Sequence, residues 1–277
     1  MVDNRQSGEH GRRPPRPPRE RDGGQRNRRD GAPTRSGPGR ARRAQPQHDA
    51  PPAESAEPRG PAIPDDIEAK DLAPEIRREL ITLDKNTADY IAKRLVAAGQ
   101  LIDEDPETAL AHAQAARVRS GRIAAVREAV GIAAYHCGDW AQALTELRAA
   151  RRMGSKSTLL PLIADCERGV GRPERAIELA RGPEAEALTG DDADELRIVV
   201  AGARADLGQL EQALAVLSSP PLEPGRTGQT AARLYYAYAE TLLALGRDAE
   251  ALDWFLKAAG ADIDGVTDAE ERIGELA

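Results

Sequence analysis

The residues that could do chemistry in this 277-residue chain are few and scattered. His136 and Cys137 are adjacent, and an imidazole beside a thiol is the raw material of a metal site or an activated nucleophile. The only other His outside the Arg-rich N-terminal stretch is His112, in a different segment, and Cys137 and Cys166 do not have zinc spacing. GSKST (154–158) has a superficial likeness to a phosphate loop. It lacks the adjacent Gly-Lys, the upstream Gly at the required distance and a preceding strand, and reads as a turn between helices. The carboxylates are many but fall mostly on solvated helix faces, where spacing alone does not single out a perturbed pair. The expectation is a protein that is not an enzyme, with no cofactor and no metal site.

The elements that must position these side chains are announced by a recurring phrase. EDPETAL (104–110), GDWAQAL (138–144), GRPERAI (171–177), GQLEQAL (208–214) and GRDAEAL (246–252) centre on Ala109, Ala143, Ala176, Ala213 and Ala251, at steps of 34, 33, 37 and 38 residues. Such a period predicts stacked helix pairs. With the recurring Ala numbered 20, position 8 is Ala97, Gly131, Ala164, Ala201 and Ala239, small every time. Small residues on both sides of a crossing let two helix axes approach closely. Position 7 is Val96, Val130, Ile163, Val200 and Tyr238, an apolar row for the core. The turns carry Gly138, Gly171, Gly208 and Gly246, which suit a left-handed helix end, and Pro106 and Pro173 suit a first helical position. No segment alternates as a half-buried strand would.

This pattern resembles the tetratricopeptide repeat over about residues 86–260. The second copy (Gly131, Gly138, Trp140, Ala143, Leu147, Ala150) fits best, and the fifth (Ala239, Gly246, Ala251, Phe255, Ala258) is next. The resemblance implies an all-α, right-handed superhelical solenoid of about five pairs, near 86–119, 124–154, 157–182, 193–219 and 231–260, within a domain of residues 63–277. One short helix is expected in 65–83, with Ile76, Leu80 and Leu83 apolar, and a closing helix in 267–277. Pro183 and Pro220 at position 27 should end their second helices early, and the linkers 182–192 and 218–229 account for the longer steps.

The resemblance also implies where a partner would sit. Positions 2, 5, 9, 12 and 13 of the first helices line the inner groove, and their occupants include Arg94, Glu128, Tyr135, His136, Asp165, Arg168, Arg233, Tyr236 and Glu240. Tyr and Arg combine apolar area with a polar handle. Tyr135, His136, Arg168, Tyr236, Glu240 and Glu128 are the expected contacts for a protein or peptide partner. Asn is absent from positions 5 and 9 of every repeat, so the carboxylate clamp of chaperone-binding relatives is not expected.

Charge divides the chain. Residues 1–60 hold 14 Arg, no Lys and eight acids, a net +6, and between Val2 and Ile63 there is no Leu, Ile, Val, Met or aromatic residue. Residues 1–62 are therefore expected to be a disordered basic tail. Residues 117–156 carry eight basic and three acidic residues, and residues 183–277 carry seven basic and 19 acidic. An RNA- or ribosome-associated role is the alternative function. It would use the tail (Arg12, Arg13, Arg28, Arg29, Arg42, Arg43) and the basic segment (Arg148, Arg151, Arg152) to meet phosphates or an acidic partner. The same basic residues also suit helix C-termini. No stretch reaches the length of a membrane span, no leader follows the N-terminal Arg residues, and two helix-borne cysteines ask for no oxidising compartment. The expectation is a cytoplasmic bacterial protein without membrane contact.

Overall fold

The computed structural model describes residues 60–276, and the basic N-terminal segment with Arg12, Arg13, Arg28, Arg29, Arg42 and Arg43 lies outside them. The described residues are all-helical apart from one isolated bridge between Pro224 and Arg226. After the short α1 (Pro74–Glu79) come five pairs: α2 (Lys85–Leu101) with α3 (Pro106–Arg119), α4 (Ala124–His136) with α5 (Trp140–Arg152), and α6 (Leu160–Gly169) with α7 (Pro173–Leu179). A one-turn α8 (Pro183–Glu186) precedes α9 (Gly190–Asp206) with α10 (Leu210–Leu217). The last pair is α11 (Gln229–Ala244) with α12 (Asp248–Ala261), closed by α13 (Ala269–Leu276). Each second helix packs on its own first helix and on the first helix of the next pair. The result is a solenoid in which contacts pass from neighbour to neighbour.

Local chemistry sets the helix ends. Asp84, Asp105 and Asp139 each accept the N–H of the residue three further on at 3.0 Å and so satisfy an otherwise orphaned donor at the start of α2, α3 and α5. Gly138, Gly171, Gly208 and Gly246 adopt φ of 70–77° at the turns, where a side chain would be strained. At the crossing of α4 on α5, a Cβ on Gly131 would come within 2.7 Å of Leu147, so only Gly lets these axes meet so closely. Leu147, Ile163, Leu217 and Phe255 are fully buried along the array. A buried aliphatic or aromatic side chain of this kind stabilises by about 1.5–3 kcal/mol.

Two details depart from the sequence expectation. Residues 65–83 form not one helix but three pieces: α1 flanked by 3-10 turns at Ala69–Asp71 and Leu80–Thr82. Pro74 can start a helix but cannot continue one from Ala73, which sets the break. Leu72 and Leu80 nevertheless reach the first core cluster, with Ile91 and Leu95. The linker 182–192 contains α8, begun by Pro183 at its first position. As position 27 requires, α7 stops at Leu179 and α10 at Leu217. No helix of the described residues is long and apolar enough to cross a membrane.

Candidate partner-binding face

The inner face is built by α2, α4, α6, α9 and α11, and its two ends differ. At the N-terminal end, α2 offers Leu95, Ala98, Gly99 and Ile102, and α4 offers Ala125, Glu128, Ala129 and Ile132. Each set is spaced i, i+3, i+4, i+7, so each forms one helix face. With Leu72 and Ile76 of the α1 segment as a third wall, they enclose a trough of about 460 Å³, with Lys156, Ser155 and Ser157 at its rim. Glu79 holds the wall in place: its Oε2 accepts the Ala125 N–H at 3.0 Å. Ile123, the residue preceding α4, makes no side-chain cap, so a carboxylate 46 residues upstream takes the capping role and complements the helix dipole. Glu128 accepts the hydroxyls of Ser155 and Ser157, each at 2.6 Å, which fixes the loop once compared with a phosphate loop.

Further along, the face becomes a polar ladder. The Tyr135 hydroxyl donates to Asp165 at 2.5 Å. Arg168 donates to the other Asp165 oxygen at 2.8 Å and grips Asp206 with two N–H groups at 2.8 and 3.3 Å, its guanidinium lying against Gly202. Arg233 reaches Glu195 at 3.1 Å. Arg272 of α13 donates to Glu240 at 2.8 Å and stands over the Phe255 ring. Burial, then Asp165, pushes the Tyr135 hydroxyl well above its ordinary range. Burial and the Asp268 carboxylate do the same to Tyr236. Both phenols are therefore donors at neutral pH, each directed at a carboxylate of the next element.

Of the expected contacts, Glu128 lies in the trough, Tyr135 stands where trough meets ladder, and Arg168, Tyr236 and Glu240 belong to the ladder. His136 is exposed at the end of α4, its ring 5.9 Å from Tyr135. Arg94, expected in the groove, is instead 5% exposed, bonded to His112 and to the Pro61 carbonyl. Sequence reasoning passed over the apolar lining of the trough, because Leu95, Ile102 and Ile132 look like core when the partner across from them is unknown. Ile102 at groove position 13 and Ile132 at groove position 9 were the available signal.

The basic segment is largely engaged within the fold. Arg117 and Arg127 both pair with Glu146, which is 2% exposed. Arg148 pairs with Glu167, which is 1% exposed and also meets Arg172 at 2.9 Å. Arg151 pairs with Glu184 at 3.2 Å, and Arg152 is exposed. These cations join neighbouring helices to buried carboxylates, which is a structural task and leaves less charge for a phosphate backbone. Cys166 is fully buried, and burial raises its thiol to about 12, so it is inert at neutral pH. Among the described residues no group of three or more His, Cys, Asp or Glu is placed to hold a metal ion.

One family profile and one solved structure show what this chain is similar to. The family profile described as tetratrico peptide repeat matches residues 163–265. No curated protein matches the chain. A solved structure described as YrrB, "a TPR protein with an unusual peptide-binding site", is similar at 20% identity and a TM-score of 0.42, covering 72% of this chain and 97% of that one. Five helix pairs with a small residue at each crossing, a glycine turn in four of them and the profile match over residues 163–265 support a tetratricopeptide-repeat architecture.

Proposed function

We propose that this protein is a non-enzymatic adaptor that holds a peptide or protein against its inner face. The observation that carries this reading is the trough over α2 and α4. It leaves Ile76, Ile102 and Ile132 half-exposed in one concave site backed by the buried Leu72 and Leu95, and apolar surface gathered in a concavity is what a partner can cover at a gain of about 25 cal/mol per Å². Tyr135 and His136 extend the surface beyond the trough. Arg168, Tyr236 and Glu240 would join it only by exchanging bonds they already make within the fold.

The test is affinity capture from nuclease-treated native lysate with the full-length chain, with Ile132→Arg and with Arg168→Ala. The expected result is a partner retained by wild type and Arg168→Ala and lost by Ile132→Arg, all three with the same helical circular dichroism. Equal capture by Ile132→Arg would rule out the trough as the working surface.

A further inference from the structure

We infer that the trough takes an amphipathic α-helix of a partner protein, its apolar face on the floor and carboxylates along its flanks. The inference rests on reading the trough as the working surface. Backbone chemistry chooses the helix. The walls are helices whose main-chain groups are bonded internally, and two of the carboxylates in the lining are already engaged: Glu79 by the Ala125 N–H, and Glu128 by the Ser155 and Ser157 hydroxyls. An extended peptide laid there would bury N–H and C=O groups with nothing to bond them. A helix satisfies its own backbone and brings only side chains to the apolar floor. The floor suits close helix approach, with Ala98, Gly99, Ala125 and Ala129 between the larger Leu95 and Ile132. A Cβ placed on Gly99 would meet no atom within 4 Å, so space remains above it for another element.

Charge chooses the flanks. Of the trough's carboxylates, Glu79 and Glu128 accept internal bonds and Glu75 has only a loose, exposed contact of 3.8 Å with Arg78, whereas Lys156 is exposed at the rim and makes no ion pair among the described residues. The chain itself offers no occupant. The N-terminal 60 residues have no apolar side chain larger than Ala beyond Val2, except proline. The large exposed apolar residues of the described part (Ile81, Val118, Met153, Leu256, Ile263, Val266) are scattered over separate elements and form no helix face that a second copy could insert.

The experiment uses the full-length chain and three labelled peptides of about 16 residues, enough for four helical turns. The first is an Ala/Leu helix with Leu at i, i+3, i+4 and i+7 and Glu flanks, the second carries Lys flanks instead, and the third is the Glu peptide with a central Pro. Fluorescence anisotropy should show the Glu helix binding about tenfold or more tighter than the Lys helix, a difference of about 1.4 kcal/mol. The Pro peptide should fail to saturate. Arg78→Glu combined with Lys156→Glu should reverse the flank preference, and Ile132→Arg should abolish binding. Equal binding of the Pro peptide overturns the helical occupant but leaves the trough as the working surface. Equal or tighter binding of the Lys helix overturns the acidic flank. If no peptide binds while Ile132→Arg still loses its lysate partner, the inference fails and the proposed function stands. If Ile132→Arg changes neither, both fail.

Discussion

The two ends of the inner face use the same row of first helices for opposite purposes. Leu95, Ala98 and Ile102 at positions 6, 9 and 13 of α2, and Ala125, Ala129 and Ile132 at positions 2, 6 and 9 of α4, line an open trough. From Tyr135 to Arg272, positions 5, 9 and 12 carry Tyr, Asp, Arg and Glu side chains that bond to the next element. One end leaves apolar area uncovered, and the other saturates its polar groups internally. An array can therefore be sticky and self-satisfied along a single surface, and residue type alone does not tell which end meets the partner. The polar residues that look like recognition groups are the ones already engaged.

The contrast can be broken first at its seam. Glu167 is buried between Arg148 of α5 and Arg172, where the open end joins the laddered one. Breaking a buried pair by removing one partner typically costs about 3–5 kcal/mol. Both arginines here are partly exposed and can be resolvated, so Glu167→Ala is expected to cost about 2–3 kcal/mol, with a broadened urea transition as the two ends begin to melt separately. An unchanged midpoint and slope would show that the seam does not couple them. The next largest effect concerns the open end: Ile132→Arg should weaken partner binding at least about tenfold, close to 1.4 kcal/mol, with stability nearly unchanged. Titration calorimetry beside a melting curve separates the two quantities.

A smaller effect sharpens the laddered end. Tyr135→Phe removes the bond to Asp165 and should cost about 1 kcal/mol of stability while partner affinity moves less than about twofold. A large loss of affinity with little loss of stability would move Tyr135 from the ladder to the contact surface. The smallest expected effect is a pH dependence at the N-terminal end. His112 is buried and accepts a bond from Arg94, and burial, then the Arg94 charge, lowers its pKa from the ordinary 6.5. The unfolded chain thus takes up this proton more readily than the folded one. The stabilising contribution is complete above the ordinary value and is lost as pH falls from there through the folded value. The melting temperature should fall on going from about pH 7 to about pH 5, and less so in His112→Gln.

The fold was legible because its signals are local and repeated. Small residues at the crossings, glycine at the turns and proline at position 27 each correspond to a steric requirement that the coordinates meet at Gly131, Gly138 and Pro183. The site was less legible because its decisive contacts are remote in sequence. Nothing near Glu79 announces that it caps α4, and nothing near Glu146 or Glu167 announces that each draws in two arginines. A row of arginines in 117–156 looks like a surface patch until the buried carboxylates opposite it are known. Arg94 looks like a groove residue until Pro61 and His112 are found bonded to it.

The buried carboxylates bear on how such an array can be edited. On α5, Glu146 takes arginines from α3 and α4, while Arg148, two residues on, reaches forward to Glu167 of α6. The α4–α5 pair is thus a keyed link with a different lock on each side, unlike an interchangeable bead. Cutting it out would strand Glu167 without Arg148 on one side and Arg117 without Glu146 on the other, and splicing in a duplicate would bring together edges that were never matched. The order of the repeats is written into buried charge, so the array resists the shuffling that its regular period invites.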